Sequence, residues 1–273
     1  MYKYKIFNNI AEAGIRIFSD NNFILDEANP DALMLRSKVL SNQDLADSLY
    51  CIGRAGAGTN NIPIEEATNK GIVVFNTPGA NANAVKELVV CGMLLASRGI
   101  IQGNIYSQSL SGQDSEELNK SMEAQKKSFK GNELKGKTLG IIGLGSIGSL
   151  LAQTAEVMGM KIIGYDPYIS IDAAWRLPKD VEKADSMKML LSNSDYISIH
   201  VPLVKDTKDL INKESLKFFK KGSKLINLSR GGIVNNEDIV EALNSKIVEK
   251  FVTDFPTPEL VSRSNDFQDV ILL

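Results

Sequence analysis

The sequence predicts an α/β protein of two units, the second built on a doubly wound parallel sheet. Three observations carry that prediction. Short strand-like apolar runs alternate with helix-like stretches along most of the chain. A polar stretch, residues 100–132, breaks the alternation and reads as a surface helix and connector, which sets the units at 1–98 and 99–273. The run from Lys137 to Asp166 then gives strand, glycine turn, helix, second strand and carboxylate in that order.

In the first unit, Tyr4–Asn8 reads as a strand and a helix follows from Ile10. Ala32–Arg36 is a second strand, and Ser41 is placed to cap a helix through Leu49. Tyr50–Arg54 is a strand that opens into Gly53-Arg54-Ala55-Gly56-Ala57-Gly58. A short helix, Ile64–Lys70, ends at Gly71, and Ile72–Asn76 is a strand. Asn81–Ser97 has helical spacing, with Val85, Leu88, Val89, Met93 and Leu94 on its buried side. In the second unit, strands are expected at 138–142, 161–165, 195–200, 224–228, 250–254 and 270–273, with helices between most of them.

Composition narrows the function classes. With 273 residues, 43% of them apolar, the chain can bury a full core in one large or two ordinary domains. A net charge of −2 gives no sign of a nucleic-acid partner. No apolar run approaches membrane-spanning length, and MYKYKIFNNI is not a secretory signal, so a cytoplasmic protein with no membrane partner is expected. Cys51 and Cys91 lack metal-ligand spacing and are expected as buried reduced thiols; no metal is expected.

The Lys137–Asp166 segment is a dinucleotide-binding fingerprint. Gly143 permits the tight turn out of the strand, Gly145 lets the backbone approach a pyrophosphate, and Gly148 lets the helix pack closely on the sheet. The helix beginning near Ser146 aims its N–H groups at phosphate. Asp166, 18 residues beyond Gly148, can accept both ribose hydroxyls and would repel a 2′-phosphate, which favours NAD over NADP.

Ligands of open α/β sheets bind beyond the C-terminal strand ends. His200, Ser229-Arg230-Gly231-Gly232 and Asp254 all close expected strands. Arg230, between a strand end and two glycines, is either a bidentate clamp for a carboxylate or a member of a surface salt bridge. Arg54 lies either in an anion-binding backbone nest or on a strand-to-helix turn facing solvent. His200, the sole histidine, is either a general acid-base or a partly buried ring on the adenine side, and no carboxylate beside it supports the first role. Tyr165, Tyr168 and Trp175 are expected to pack.

Together, GRAGAGTNNI, NTPGANANAVKEL, GKTLGIIGLGSIG, GYDP, HVPL, NLSRGGIV and TDFPTPE resemble the D-isomer-specific 2-hydroxy acid dehydrogenases, in family order from Arg36 onward. The resemblance implies two Rossmann-like domains, substrate-binding then NAD-binding, with the active site in the cleft between them. It implies that Arg230 binds the substrate carboxylate and carbonyl, and that Glu259 is the acid paired with the catalytic histidine. It places Asp254 on the nicotinamide carboxamide, Ser146 and Ile147 on the pyrophosphate, and Asp166 on the ribose. His200, Val201, Pro202, Leu228 and Ser229 would line the cofactor. Arg36, Arg54 and Gly56 would meet substrate, and the two extra arginines suit a phosphorylated acid.

The implied reaction is NAD-dependent oxidation of 3-phosphoglycerate, the first step of serine synthesis. Glycerate, lactate and erythronate 4-phosphate are alternative substrates, and a non-catalytic NAD sensor is a rival of another class. A homodimer formed through the NAD-binding domain is implied too. The family's strand matching Val270–Leu273 is followed by Pro-His-Leu-Gly, whose histidine transfers the proton, and by a long helix returning to the first domain. The sequence ends at Leu273, so residues 1–273 are expected to bind NAD and turn over slowly.

Overall fold

Parallel strands with crossover helices build both units. The computed structural model describes residues 1–266 and 268–273. In chain order its elements are β1 (Tyr2–Ile6), α1 (Glu12–Asp20), β2 (Phe23–Leu25), β3 (Ala32–Leu35), β4 (Cys51–Arg54), α2 (Ile64–Asn69), β5 (Val73–Phe75), α3 (Ala82–Ser97), α4 (Ile100–Ser109) and α5 (Ser115–Gln125). Then come β6 (Thr138–Ile142), α6 (Ser146–Val157), β7 (Lys161–Tyr165), α7 (Ile171–Ala174), β8 (Glu182–Lys183), α8 (Met187–Asn193) and β9 (Tyr196–Ile199). The last are α9 (Lys213–Leu216), β10 (Ser223–Asn227), α10 (Asn236–Asn244), β11 (Val248–Thr253), α11 (Pro258–Asp266) and β12 (Val270–Leu272).

The first compact unit is Met1–Asn81. Its five parallel strands run in the order β2-β1-β3-β4-β5. Leu33, Leu35 and Ile52 alternate onto one sheet face and bury against Leu45, Leu49 and Ile62. β2 is absent from the sequence expectation because a three-residue strand carries too little periodicity to read. The helix expected from Ser41 to Leu49 is a single 3₁₀ turn, Asn42–Asp44. Ser41 and Asp44 close a capping box there, and Leu45 and Leu49 then turn into the core instead of continuing a helix.

The second unit is Ala82–Leu273. The division thus falls before α3, not at 98/99. Val89, Met93 and Ala96 of α3 are buried with Leu139, Ile141 and Leu151, so this helix completes the core of the second unit. Seven strands run in the order β12-β11-β10-β9-β6-β7-β8, all parallel. Strand order reverses at β6, the switch point where ligands bind in such sheets. The polar stretch after residue 100 holds two helices, α4 and α5, the second capped by Asp114 accepting from the Glu116 and Glu117 amides.

Five expectations of burial fail. Leu88 and Leu94, expected on the buried side of α3, lie on its exposed side, because the apolar run is wider than the face that meets the core. Tyr168 and Trp175 are 87% and 84% exposed, on the loop and turn beyond β7, and Cys91 lies on the exposed side of α3. Sequence spacing cannot separate an apolar group on an outer face from one on the core. Among the described residues no helix is long and apolar enough to cross a membrane.

Candidate functional site

Register brings the strand ends of the second unit level. Ile142 pairs with Tyr165 and Ile199, Asn227 pairs with Ile199 and Thr253. The residues that follow these, Gly143, Asp166, His200, Leu228 and Asp254, therefore leave the sheet along one edge. From β11 to β7 that edge spans four strand spacings, roughly 19 Å.

The glycine turn fits a pyrophosphate for reasons that differ at each position. Gly143 has φ 94°, and a Cβ there would lie 2.5 Å from the His200 carbonyl oxygen. A Cβ on Gly148 would lie 2.0 Å from the Gly143 oxygen. These two glycines are demanded by the fold. Gly145 is not: a Cβ there meets no protein atom within 4 Å. It caps α6, whose first residues, Ser146 and Ile147, present N–H groups without intrahelical partners toward the sheet edge. A cradle left open where the chain does not need it open is what a dinucleotide phosphate requires.

Asp166 is fixed by two backbone amides: Leu144 N–H donates to Oδ2 at 2.8 Å and Tyr168 N–H to Oδ1 at 2.9 Å. Each carboxylate oxygen retains acceptor capacity for a ribose hydroxyl. Beneath it, Leu144, Tyr165, Pro167, Ile169, Leu177 and Val181 border a pocket of about 400 Å³.

The His200 N–H donates to the Ile142 carbonyl at 2.7 Å, and Nε2 lies 2.9 Å from Ser198 Oγ. The imidazole is enclosed although the residue keeps some exposure, and Nδ1 is buried without a protein partner. Burial lowers its pKa to about 4, so the ring is neutral at physiological pH. No carboxylate bonds to it among the described residues, which leaves His200 without the partner a general acid-base needs. Val201 is half-buried and Pro202 exposed beside it.

Arg230 follows β10 in a turn with Leu228, which is buried, and Ser229. Its Nη1 donates to the Ser229 carbonyl at 2.6 Å. Among the described residues no carboxylate pairs with the fork within 4.0 Å. Partial burial raises the pKa of the Asp254 carboxyl, against the pull of its own amide and of Arg230. Glu259 is exposed in the first turn of α11.

In the first unit two amides of the Gly53–Gly58 turn are already engaged within the protein. Ala55 N–H bonds to the Leu35 carbonyl, and Gly56 N–H to the Arg54 carbonyl and to Thr77 Oγ1. The Arg54 fork lies over Gly56, where a Cβ would meet Nη1 at 2.7 Å. Arg36 is exposed on a turn that Asn8 and Asn61 lock. Asn8 Oδ1 accepts from the Arg36, Ser37 and Lys38 amides at 3.4, 3.0 and 2.8 Å, and Asn61 Nδ2 donates to the Arg36 and Lys38 carbonyls. Neither asparagine is visible as a site residue in the sequence, where each sits in an Asn-Asn pair with no chemical context of its own.

Comparison with known proteins identifies the family. Residues 93–272 match the family described as D-isomer specific 2-hydroxyacid dehydrogenase, NAD binding domain. The chain belongs to that family, and its cofactor is NAD. It is 38% identical to the D-3-phosphoglycerate dehydrogenase of Methanocaldococcus jannaschii over 88% of this chain and 44% of that protein. It is 37% identical to the hydroxypyruvate reductase of Thermotoga maritima over 88% of this chain and 76% of the reductase. The chain thus spans less than half the length of the phosphoglycerate dehydrogenases of Methanocaldococcus jannaschii, Bacillus subtilis and Synechocystis. Among solved structures, NAD⁺-bound 3-phosphoglycerate dehydrogenase of Entamoeba histolytica superimposes with a TM-score of 0.77 at 25% identity, covering 100% of this chain and 86% of that one.

Proposed function

We propose that the chain acts as an NAD-dependent oxidoreductase of a D-2-hydroxy acid, with 3-phosphoglycerate as its substrate. Arg230 carries the reading. A guanidinium set at the same sheet edge as the glycine turn and Asp166, without an ion-pair partner among the described residues, is suited to clamp a carboxylate beside the cofactor and to stabilise negative charge on the reacting oxygen. Bound NAD supplies the hydride acceptor.

In this reading Gly143, Gly145, Ser146, Ile147 and Gly148 hold the pyrophosphate and Asp166 the ribose. His200, Val201, Pro202, Leu228 and Ser229 line the cofactor, and Asp254 orients the carboxamide. Glu259 belongs to the proton-transfer arm. Arg36, Arg54 and Gly56 serve the substrate, and the two arginines favour a phosphorylated acid. The phosphoglycerate dehydrogenases among the relatives support that choice. The hydroxypyruvate reductase of Thermotoga maritima supports a second reading, with glycerate as substrate.

Titration of the NADH-loaded chain with phosphohydroxypyruvate and with hydroxypyruvate, followed by NADH fluorescence, separates the two. Tighter binding of the phosphorylated acid, lost in the R36A/R54A variant, supports the first reading. Equal binding of both supports the second, and no response to either supports an NAD sensor. A homodimer through the NAD-binding domain, in the cytoplasm, completes the proposal; sedimentation equilibrium reads the oligomeric state.

A further inference from the structure

We propose that Asn227 is the positioning residue of Arg230, holding the substrate-clamping arginine to the sheet through a three-bond amide bridge. The inference rests on the reading of Arg230 as the carboxylate clamp. Asn227 is the last residue of β10, 1% exposed, with β9 on one side and β11 on the other. The chain leaves the sheet immediately after it. Its side chain follows the turn instead of the core. Oδ1 accepts from Ser229 N–H at 3.2 Å and from Ser229 Oγ at 2.9 Å, while Nδ2 donates to the Arg230 carbonyl at 2.9 Å.

That pattern ties both limbs of the turn to one rigid strand end. The Ser229 carbonyl, on the peptide whose flanking groups Asn227 grips, is in turn the acceptor for Arg230 Nη1 at 2.6 Å. A continuous path therefore runs from the sheet, through the Asn227 amide, to the guanidinium. Gly231 continues the turn, where a Cβ would touch Phe255, so the turn is packed on that side as well. Clamping geometry matters because a fork displaced by about an ångström loses the bidentate match to a carboxylate.

Only an asparagine serves here. The bridge needs an acceptor and a donor on one short head group. An ionised aspartate keeps the first and turns a second acceptor against the Arg230 carbonyl. A glutamine carries an extra methylene into a site only 1% exposed, and its amide would no longer meet the turn at the same reach.

The test uses the full 273-residue chain, with NADH and phosphohydroxypyruvate as probes and melting temperature as a third measurement. N227A is expected to raise the phosphohydroxypyruvate Kd about tenfold or more, with NADH Kd within about threefold of wild type. N227D is expected to weaken the oxo acid similarly at pH 7.5. The ratio of its Kd to that of wild type should fall at pH 5.5, because a protonated aspartic acid regains a donor toward the Arg230 carbonyl. R230A serves as the reference. If R230A loses the oxo acid and N227A and N227D do not, Asn227 plays no positioning part. If both asparagine variants lose NADH and oxo acid in parallel with a lower Tm, the role is one of stability alone, and the proposal is overturned. If wild type and R230A respond alike, the clamp reading fails first and the proposal with it. Should N227A not fold, N227D, isosteric with the native side chain, decides the question alone through its pH-dependent ratio.

Discussion

Replacing Gly145 and Gly148 by alanine, one at a time, adds the same methyl group three residues apart and is expected to give contrasting results. At Gly148 the new Cβ would sit 2.0 Å from the Gly143 oxygen, against the 3.4 Å at which ordinary contact begins. Helix α6 must therefore retreat by roughly 1.4 Å from the strand it follows. Overpacking of that kind costs about 1–3 kcal/mol, and each kcal/mol lowers Tm by roughly 2–4 °C in a domain of this size. The retreat also carries the α6 N–H groups away from the phosphate. At Gly145 the Cβ enters open space, and the backbone, φ −69° and ψ −156°, lies at the edge of the extended region. Stability there is expected to change less than at Gly148, because no protein atom must move to admit the methyl group. The methyl group instead fills the phosphate cradle, so NADH binding is expected to weaken tenfold or more, about 1.4 kcal/mol. Thermal melts and NADH fluorescence titrations on both variants read the contrast. A G145A protein that binds NADH like wild type would refute the placement of the pyrophosphate. A G148A protein with unchanged Tm would refute the packing argument.

Other expectations follow from the same geometry. The buried His200 titrates near pH 4 when folded and near 6.5 when unfolded, so the unfolded chain binds the extra proton between these values. Stability is then complete above pH 6.5 and falls by about 3 kcal/mol as pH drops toward 4; urea titrations of wild type and H200N across that window should converge if His200 is responsible. Asp166→Asn keeps an acceptor for the Leu144 amide and removes the charge, so the preference for NADH over NADPH is expected to shrink; an unchanged ratio of the two Kd values would exclude Asp166 as its source. Arg263 and Asp269 form a buried ion pair at 2.8 Å between α11 and β12, with Asn244 on the same guanidinium. Asp269→Ala, which removes a buried partner of that guanidinium, is expected to destabilise the chain in urea unfolding by up to about 3–5 kcal/mol.

Much of this molecule is legible in one sequence because its signals are local. The turn from Gly143 to Gly148, the carboxylate after β7 and the arginine after β10 each sit within a few residues of the strand that positions them. Alternation of apolar runs then sets which strand ends share an edge, since parallel crossovers leave little topological choice. The three-residue β2, the 3₁₀ turn at Asn42–Asp44 and the exposure of Trp175 were not legible. In each case packing against residues distant in sequence, or its absence, outweighs the local propensity.

The sequence by itself determined that the chain has a glycine turn between strand and helix, a carboxylate at the end of the next strand and an arginine at a third strand end. Tertiary structure decided what those groups can do. It assigned α3 to the second unit, because its apolar face completes that core. It engaged the amides of Ala55 and Gly56 with Leu35, Arg54 and Thr77. It left His200 neutral, and it showed that Asn227 grips the turn carrying Arg230. Hydrogen bonds and burial are properties of neighbours in space, and a chain read in order does not display its neighbours.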